Sequence, residues 1–223
     1  MKRAHHVLIA STLWGLMFAQ GCEQKAEAKV QVEKLPDVKP NVPPVPTLPP
    51  PPHPIQYSDQ SYSVYGLRRN LRRTIDTDVT VTAYVAKVYV APECPPKEKC
   101  PTPPAPHVWL ADIAGETDEM KYLIFSDYAE NQVTIDEAIA NEAKGKPQDA
   151  AELAEMGLSP LPTDLFAGAK IVAKGRFSYV SGGGFQSSEG VLGYAGHTVL
   201  EPAPDLEAQR DAAIERFKNK PKK

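Results

Sequence analysis

The strongest pattern in the sequence is an alternation of apolar and polar residues over 78–90, the segment DVTVTAYVAKVYV. β-Branched and aromatic residues dominate this segment, and such residues suit a pleated, half-buried strand. The apolar phase holds and then shifts by one position, since Val79, Val81, Ala83 and Val85 are followed by Val88 and Val90. One extra residue in a β-bulge produces such a shift and bends the strand. The pattern therefore predicts a long, bent first strand.

Weaker patterns predict the remaining elements. Two short apolar runs favour strands, and two segments rich in alanine and glutamate favour helices. Two further alternating segments favour strands, and a weakly amphipathic segment favours a C-terminal helix. In chain order these elements span 107–113, 120–126, 136–144, 148–156, 169–180, 190–200 and 204–220. Simple alternation along the last strand places Tyr194 and Leu200 on one face and Ala195 and Val199 on the other.

The order of the predicted elements is three strands, a helical segment and two strands, over about 78–202. This order, with its long bent first strand, resembles the oligonucleotide/oligosaccharide-binding (OB) fold. The resemblance implies a mainly β domain at 57–202, a five-stranded Greek-key barrel with a helical insertion between strands 3 and 4. A small open α+β sheet is the alternative. Residues 203–223 are expected to form a C-terminal helix and tail that pack partly on the domain.

The first 22 residues have the composition of an export signal. Lys2 and Arg3 precede a largely apolar run of 13 residues, 7–19, which is too short to span a bilayer. The sequence AQGC at 19–22 then resembles the lipobox of bacterial lipoproteins, although leucine is commoner at the position of Ala19.

The lipoprotein resemblance implies a chemical modification and a location. In that family the signal, here residues 1–21, is removed, and the cysteine, here Cys22, receives a diacylglyceryl group and an N-terminal acyl chain such as palmitate. Several acyl chains give lasting membrane attachment, whereas one chain binds only marginally. Glu23 replaces the aspartate that retains enteric lipoproteins in the inner membrane, so the resemblance favours the outer membrane, facing the periplasm. A plain secretory signal with an incidental cysteine is the alternative.

Residues 22–56 are predicted to form a tether without a core of its own. Residues 23–34 are charged and poor in large apolar groups, so they cannot bury enough surface to fold. Residues 35–54 contain ten prolines in 20 positions. At ~3.1 Å per residue, a polyproline II rod of this length extends roughly 60 Å. We expect a spacer that lifts the domain off the membrane, with a proline-rich docking motif as the alternative.

Net charge restricts the class of partner. The 223 residues carry 25 Lys+Arg and 28 Asp+Glu, a formal charge of −3, which becomes −5 when Lys2 and Arg3 leave with the signal. A near-neutral chain excludes a nucleic-acid binder held by bulk positive charge. For an exported protein, a glycan or another envelope protein is the expected partner.

The chain contains three cysteines, of which Cys22 is the predicted lipidation site. Cys94 and Cys100 bracket a short loop between the first two strands, and outside the cytoplasm they should be oxidised to each other. Closing so short a loop stabilises the fold by roughly 2 kcal/mol. Half of a metal site with His107 is the alternative, although this region offers no further Cys or His to complete the ligand set.

The sequence contains no recognisable catalytic motif. Of its five histidines, only His107 and His197 fall in the predicted domain, and each lies in a predicted strand. The glycine-rich turn at 181–184 joins two strands and opens no helix, so it predicts a hairpin rather than a phosphate-binding loop. We therefore predict no catalytic residue, no metal and no cofactor.

An acidic cluster follows the second predicted strand and consists of Asp112, Glu116, Asp118 and Glu119. Calcium could use such oxygens, but their spacing does not match a calcium-binding loop, and a solvated acidic turn is the preferred interpretation. Some OB-fold proteins are nucleases, so an enzyme in which Asp112 and Arg176 act on a nucleic acid is kept as an alternative.

Basic and aromatic residues favour a binding role. The candidate ligand-binding residues are Arg68, Arg69, Arg72, Arg73, Tyr84, Trp109, Lys170, Lys174 and Arg176. The four arginines would share one side of a helix, the basic residues of the fourth strand would form a row, and the aromatics would supply a stacking platform. The alternative is that the arginines are a solvated face and the aromatics belong to the core.

Together these observations predict a membrane-anchored envelope lipoprotein that acts as a non-catalytic binding module for a protein or glycan partner. An OB-fold enzyme or nucleic-acid-binding protein, such as a secreted nuclease, and a purely structural envelope protein are the alternative functions.

Overall fold

A computed structural model describes residues 48–92, 95, 99–178 and 190–219. Cys22, the signal segment 1–21, Cys94 and the glycine-rich turn 181–184 lie outside these ranges. The chain from Pro49 onward groups into one compact unit. Within the described ranges, no helix combines the length and the apolar character needed to cross a membrane.

The described residues form short helices and a set of longer strands. In chain order the elements are α1 (Val64–Arg69), α2 (Leu71–Thr74), β1 (Asp78–Val88), β2 (His107–Ala111), a 3-10 turn (Glu119–Lys121), β3 (Leu123–Ser126), α3 (Gln132–Ala143), α4 (Ala150–Glu155), β4 (Lys170–Ser178), β5 (Val191–Glu201) and α5 (Leu206–Lys218). The predicted order of three strands, a helical segment, two strands and a C-terminal helix is confirmed, within narrower bounds at most ends.

The architecture is mainly β. The five strands form one mixed sheet in the order β1-β2-β3-β5-β4, and β1 also pairs with β4, so the hydrogen-bonded strands form a ring. Strands β3 and β5 run parallel, whereas the other neighbours are antiparallel. The long first strand closes the ring, because its first half pairs with β4 and its second half with β2.

The predicted bulge in β1 is confirmed. The register with β2 is Val85 opposite Leu110 and then Lys87 opposite Trp109, so Ala86 is the additional residue. The bulge restores Val88 to the same face as Val85, opposite Val108, which is the reason for the shift in the apolar pattern.

Alternate residues of β4 are buried in one apolar core, as the period of two of a strand requires, whereas all four residues of β3 are buried. The helices complete this core from their own apolar faces, with Val64 and Leu67 from α1, Ile135 and Ile139 from α3, and Ala213 from α5. The largest fully buried side chains include Phe125 of β3 and Phe177 of β4.

The segment before α1 is fixed to that helix and to β1. The backbone of Tyr62 exchanges hydrogen bonds with Thr80 and Thr82, at 2.8 and 2.9 Å. A Cβ atom at Gly66 would lie 1.9 Å from the backbone oxygen of Ile55, so only glycine allows the two segments to approach this closely. The chain therefore packs against the domain from about Ile55 onward.

The predicted faces of the last strand are wrong from Ala195 onward. The register with β4 places Tyr194 opposite Gly175 and His197 opposite Ala173, both of which are buried, so Tyr194 and His197 share one face. Between Lys174 and Gly175 the register shifts, and Ala195 is the additional residue on β5. This second bulge reverses the alternation, so that Val199 lies on the Tyr194 face while Ala195 is exposed.

Helices α3 and α5 pack against each other and are joined by a half-buried ion pair. Asn131 begins α3, and its side-chain oxygen accepts a hydrogen bond from the Thr134 backbone N–H at 3.1 Å. The Arg216 guanidinium donates to both carboxylate oxygens of Asp136, at 2.8 and 3.1 Å. The Asp136 side chain is only 5% exposed, so this bidentate pair fixes the C-terminal helix on the domain.

Candidate ligand-binding face

One surface of the sheet carries aromatic rings beside lysines. Trp109 of β2 lies between two core residues, so its own side chain is on the opposite, outer face of the strand. Its register partner is Lys87, whose Nζ lies 5.0 Å from the ring centroid. The Lys87 side chain is 57% exposed, so the ammonium sits over the ring from the solvent side.

A second pair of the same kind lies on β1 and β4. Tyr84 and Lys170 are register partners, and Nζ of Lys170 lies 5.3 Å from the Tyr84 ring centroid. The same ammonium donates to Glu201 at 3.1 Å, and this hydrogen bond raises the pKa of Lys170. Sequence reasoning found both members of this pair, but not that they are adjacent.

Tyr89 and His107 extend the aromatic surface. The Tyr89 ring stacks on the His107 ring with centroids 4.6 Å apart, and the His107 ring meets Trp109 edge-on at 4.5 Å. Nδ1 of His107 lies 2.8 Å from the backbone oxygen of Ala105. Burial lowers the pKa of His107, so the ring is neutral at neutral pH.

We call Tyr84, Lys87, Tyr89, Trp109 and Lys170 the aromatic–cationic face. The sequence analysis missed Lys87 and Tyr89, because the strand pairing that brings them to Trp109 has no signal in the local pattern. It considered His107 only as a metal ligand or a catalytic histidine. Knowledge of the strand register was required to find all three.

Tyr57 is a further residue that the sequence analysis missed. Burial, and then the nearby Asp112 carboxylate, raise the pKa of its hydroxyl, with smaller effects from Lys170 and Tyr84. Tyr57 is thus a half-buried phenol beside the aromatic–cationic face.

Lys174 and Arg176 continue along the outer face of β4 as predicted. Both are exposed, and their register partners on β1 are Thr80 and Asp78. Since Lys170, Lys174 and Arg176 all lie on one face of one strand, the predicted basic row on the fourth strand is present.

The four arginines near the start of the domain do not form a single row. The helix breaks at Asn70, between α1 and α2. Arg68 is half-buried and donates to the backbone oxygens of Met120, at 2.9 Å, and of Tyr122. It therefore joins α1 to the segment that leads into β3.

The other three arginines are exposed. Arg69 donates to the Tyr65 hydroxyl at 3.1 Å, and its guanidinium carbon lies 5.3 Å from the centroid of the same ring. Arg72 and Arg73 lie in the last turn of α2. These side chains belong to the helices and not to the aromatic–cationic face.

The acidic cluster has mainly structural roles. The two carboxylate oxygens of Asp112 accept hydrogen bonds from the backbone N–H groups of Val64 and Tyr65, at 2.7 and 2.8 Å, and thus cap α1. Glu116 accepts from the backbone of Thr117 and Asp118 in its own turn. Across the described residues, no group of three or more His, Cys, Asp or Glu is placed to hold a metal ion.

The predicted bridge between Cys94 and Cys100 stays a prediction, because Cys94 lies outside the described ranges. Cys100 is exposed in the loop that joins β1 to β2.

Comparison with known proteins yields only weak structural similarity. No family model and no curated protein matches the chain. It is similar to the OBody AM3L09 bound to hen egg-white lysozyme, with a TM-score of 0.30 and 14% identity over 59% of this chain and 88% of that chain. It is also similar to Entamoeba histolytica asparaginyl-tRNA synthetase, with a TM-score of 0.29 and 13% identity over 60% of this chain and 23% of the synthetase. Similarity this weak assigns neither a fold family nor a function.

Proposed function

We propose that this protein is a lipid-anchored lipoprotein of the bacterial envelope whose OB-like β-barrel is a non-catalytic binding module. Its aromatic–cationic face binds a glycan that carries acidic groups. The single observation that carries the binding proposal is the pairing of two half-exposed rings with two lysines on one face, Trp109 with Lys87 and Tyr84 with Lys170.

The strand order supports the OB-like barrel. In the ring of strands the long β1 pairs at both of its ends, and α3 and α4 occupy the insertion between β3 and β4. Both properties agree with a five-stranded barrel that has a helix between its third and fourth strands. In OB folds, the face around strands 2 and 3 is the surface that binds oligosaccharides and oligonucleotides. Trp109 lies on β2.

The chemistry of the face favours a glycan over a protein. An aromatic ring offers a flat apolar surface on which the C–H face of a sugar ring can stack, and a neighbouring ammonium can pair with a sugar carboxylate or phosphate. Nζ of Lys87 also lies 4.0 Å from Oε1 of Glu119, but both side chains are mostly exposed, so Lys87 can move from these contacts onto an acidic group of the ligand. None of the five residues that define the face is among the exposed large aliphatic side chains of the described residues.

The observed contacts favour no second candidate function. A nuclease would need Asp112 and Arg176 to converge on one site. Asp112 directly follows Ala111, the register partner of Tyr84, whereas Arg176 is the register partner of Asp78. Tyr84 and Asp78 are six residues apart along β1, a distance of about 20 Å at 3.3 Å per residue.

Binding of purified envelope glycans tests the face. We suggest immobilised peptidoglycan fragments and lipopolysaccharide as probes, with the mature chain carrying Cys22→Ser so that it is soluble. Trp109→Ala should weaken binding about tenfold, since a central aromatic contact is worth about 1–3 kcal/mol. Tyr65→Ala, which removes a half-buried ring on α1, is the matched control and should bind like the wild type. Equal binding by Trp109→Ala and the wild type would contradict the proposal.

Labelling with palmitate tests the anchor independently. The wild-type chain should incorporate the label and sediment with membranes, whereas Cys22→Ser should do neither. Cys100→Ser removes another cysteine and should keep the label. An unlabelled, soluble wild-type protein would show instead that the signal is a plain secretory one.

A further inference from the structure

A second surface lies in the insertion between α3 and β4. We define residues 147–164 as the acidic insertion. It contains Asp149, Glu152, Glu155 and Asp164 and no lysine or arginine. Its helix, α4, buries no residue. The segment therefore presents most of its surface to solvent, with charge of one sign.

The acidic insertion is nevertheless rigidly built. The side-chain amide of Gln148 donates to the backbone oxygen of Leu161 at 2.9 Å and accepts from its backbone N–H at 2.8 Å, so the two ends of the segment are joined. The Asp149 carboxylate caps α4. Gly157, with φ of 71°, ends that helix, and the Leu158 backbone N–H donates to the oxygen of Leu153 at 2.8 Å. A surface fixed in this way loses little conformational entropy when it binds.

The insertion forms one wall of a groove of about 490 Å³ whose other wall is β5. The bulge at Ala195 directs Tyr194 and His197 to the same side, and the two are hydrogen-bonded, with the Tyr194 hydroxyl 3.1 Å from Nδ1 of His197. Nε2 of His197 lies 2.6 Å from Oδ1 of Asp164. These contacts fix Asp164 at the rim of the groove, where its side chain is still 54% exposed.

The charge of the groove has one sign. Its charged lining residues are Glu142 and Asp164, and none of the described residues that line it is a lysine or arginine. Lys144 and Lys146 lie close by in the chain but do not line the groove. Glu142 forms an ion pair at 3.7 Å with Arg210, which is not a lining residue of the groove. The groove thus offers two partly exposed carboxylates, and a cationic ligand competes with Arg210 for Glu142 and with His197 for Asp164.

Apolar side chains adjoin the groove. Met156 and Leu158 are 58% and 57% exposed, and Leu158 directly precedes Ser159, which lines the groove. Tyr194 and Leu161 supply apolar surface inside it. Exposed apolar side chains next to a groove are typical of surfaces that bind another protein.

We propose that the acidic insertion and this groove bind an extended segment of a partner protein in which basic and apolar residues alternate. Lysine or arginine side chains of that segment pair with Asp164 and Glu142, and its apolar side chains pack on Met156 and Leu158. The proposal is independent of the glycan-binding face, since it names a different surface and a different class of ligand.

A synthetic peptide that alternates lysine and leucine is a suitable probe, with a leucine–glutamate peptide for comparison. Binding is measured by fluorescence anisotropy on the mature chain carrying Cys22→Ser. The lysine–leucine peptide should bind and the leucine–glutamate peptide should not. The double variant Glu142→Gln/Asp164→Asn should weaken binding about tenfold, because both charge partners are lost.

A matched control distinguishes this site from general attraction to an acidic protein. Glu207→Gln/Asp211→Asn removes the same charge from an exposed face of α5 and should leave the affinity within about twofold of the wild type. Met156→Ser/Leu158→Ser tests the apolar contribution without any change of charge and should also weaken binding. Circular dichroism confirms that each variant is folded.

Three results would overturn the proposal: no binding of the lysine–leucine peptide, equal weakening by the two charge variants, or unchanged affinity after Met156→Ser/Leu158→Ser. Trp109→Ala should leave peptide binding unchanged. If it abolished peptide binding, the peptide would sit on the aromatic–cationic face and the proposal for the groove would be wrong. Loss of glycan binding with intact peptide binding, or the reverse, separates the two functions.

Discussion

At the scale of single residues, several charged side chains that were candidates for a functional role make structural contacts instead. Asp112 and Arg68 show this best. Each was a candidate from the sequence, and each satisfies backbone groups instead: Asp112 caps α1, and Arg68 binds the carbonyls before β3. Neither role is visible in the sequence, because the partners lie about fifty residues away along the chain.

Asp112→Ala should lower the free energy of unfolding by about 1–3 kcal/mol, since it leaves two backbone N–H groups of α1 without acceptors. Urea denaturation measures the change. Asp211→Ala removes an exposed carboxylate from α5 and should have an effect within about 0.5 kcal/mol. If the two variants were equally stable, the capping role of Asp112 would be refuted.

His107 should make stability depend on pH. Burial places the pKa of the folded ring below its ordinary value of 6.5, so the unfolded chain takes up a proton that the folded chain does not. Stability is therefore full above about pH 6.5 and falls as the pH decreases toward the folded pKa. Unfolding measured between about pH 7.5 and 5.5 should show this slope, and His107→Asn should flatten it. NMR titration of the His107 ring measures the pKa directly in the wild-type protein. A pKa at or above the ordinary value of 6.5 would contradict the predicted pH dependence.

At the scale of elements, the two bulges show where sequence patterns suffice. In β1 the apolar residues on both sides of Ala86 are large and β-branched, so the phase shift is plain and the bulge was predicted. In β5 the bulge falls among Gly193, Ala195 and Gly196, whose small side chains give no apolar phase to follow. The faces of this strand could therefore not be predicted from the sequence. For the same reason the hydrogen-bonded contacts among Tyr194, His197 and Asp164 were not predicted.

Gly175→Ala tests the close packing of β4 on β5 beside that bulge. An added Cβ would lie 1.9 Å from the backbone oxygen of Gly193, so the strands would have to separate. We expect destabilisation of about 2–3 kcal/mol by urea denaturation. Thr198→Ala, at an exposed position of β5, should change stability by less than about 0.5 kcal/mol. A Gly175→Ala protein as stable as the wild type would show that this register is incorrect.

At the scale of the whole molecule, the order of the elements was predictable and their pairing was not. Local alternation and capping residues predict each strand and helix, because those signals depend on near neighbours in the chain. The parallel pairing of β3 with β5 joins residues more than sixty positions apart, and no local pattern encodes it. The same limit applies to the candidate site, since Lys87, Tyr89 and Trp109 are brought together by register alone.

The charges of the molecule separate its two proposed surfaces. Lysines accompany the rings of the aromatic–cationic face, whereas carboxylates line the groove of the acidic insertion. A protein with both surfaces could hold an acidic glycan and a basic protein segment at once. Such a role agrees with the proposed envelope lipoprotein, in which the predicted tether would separate the domain from its membrane anchor.

Intrinsic fluorescence of Trp109 reports directly on glycan binding at the aromatic–cationic face. The sequence contains two tryptophans, Trp14 in the predicted signal and Trp109 on the aromatic–cationic face, so Trp109 is the one left in the mature chain. If an acidic glycan stacks on this ring, its emission should change in a saturable way as soluble peptidoglycan fragments or lipopolysaccharide are added, and Lys87→Ala should weaken the apparent affinity. A tryptophan spectrum that stays constant while the glycan is shown to bind by another method would place the ligand elsewhere and contradict the account.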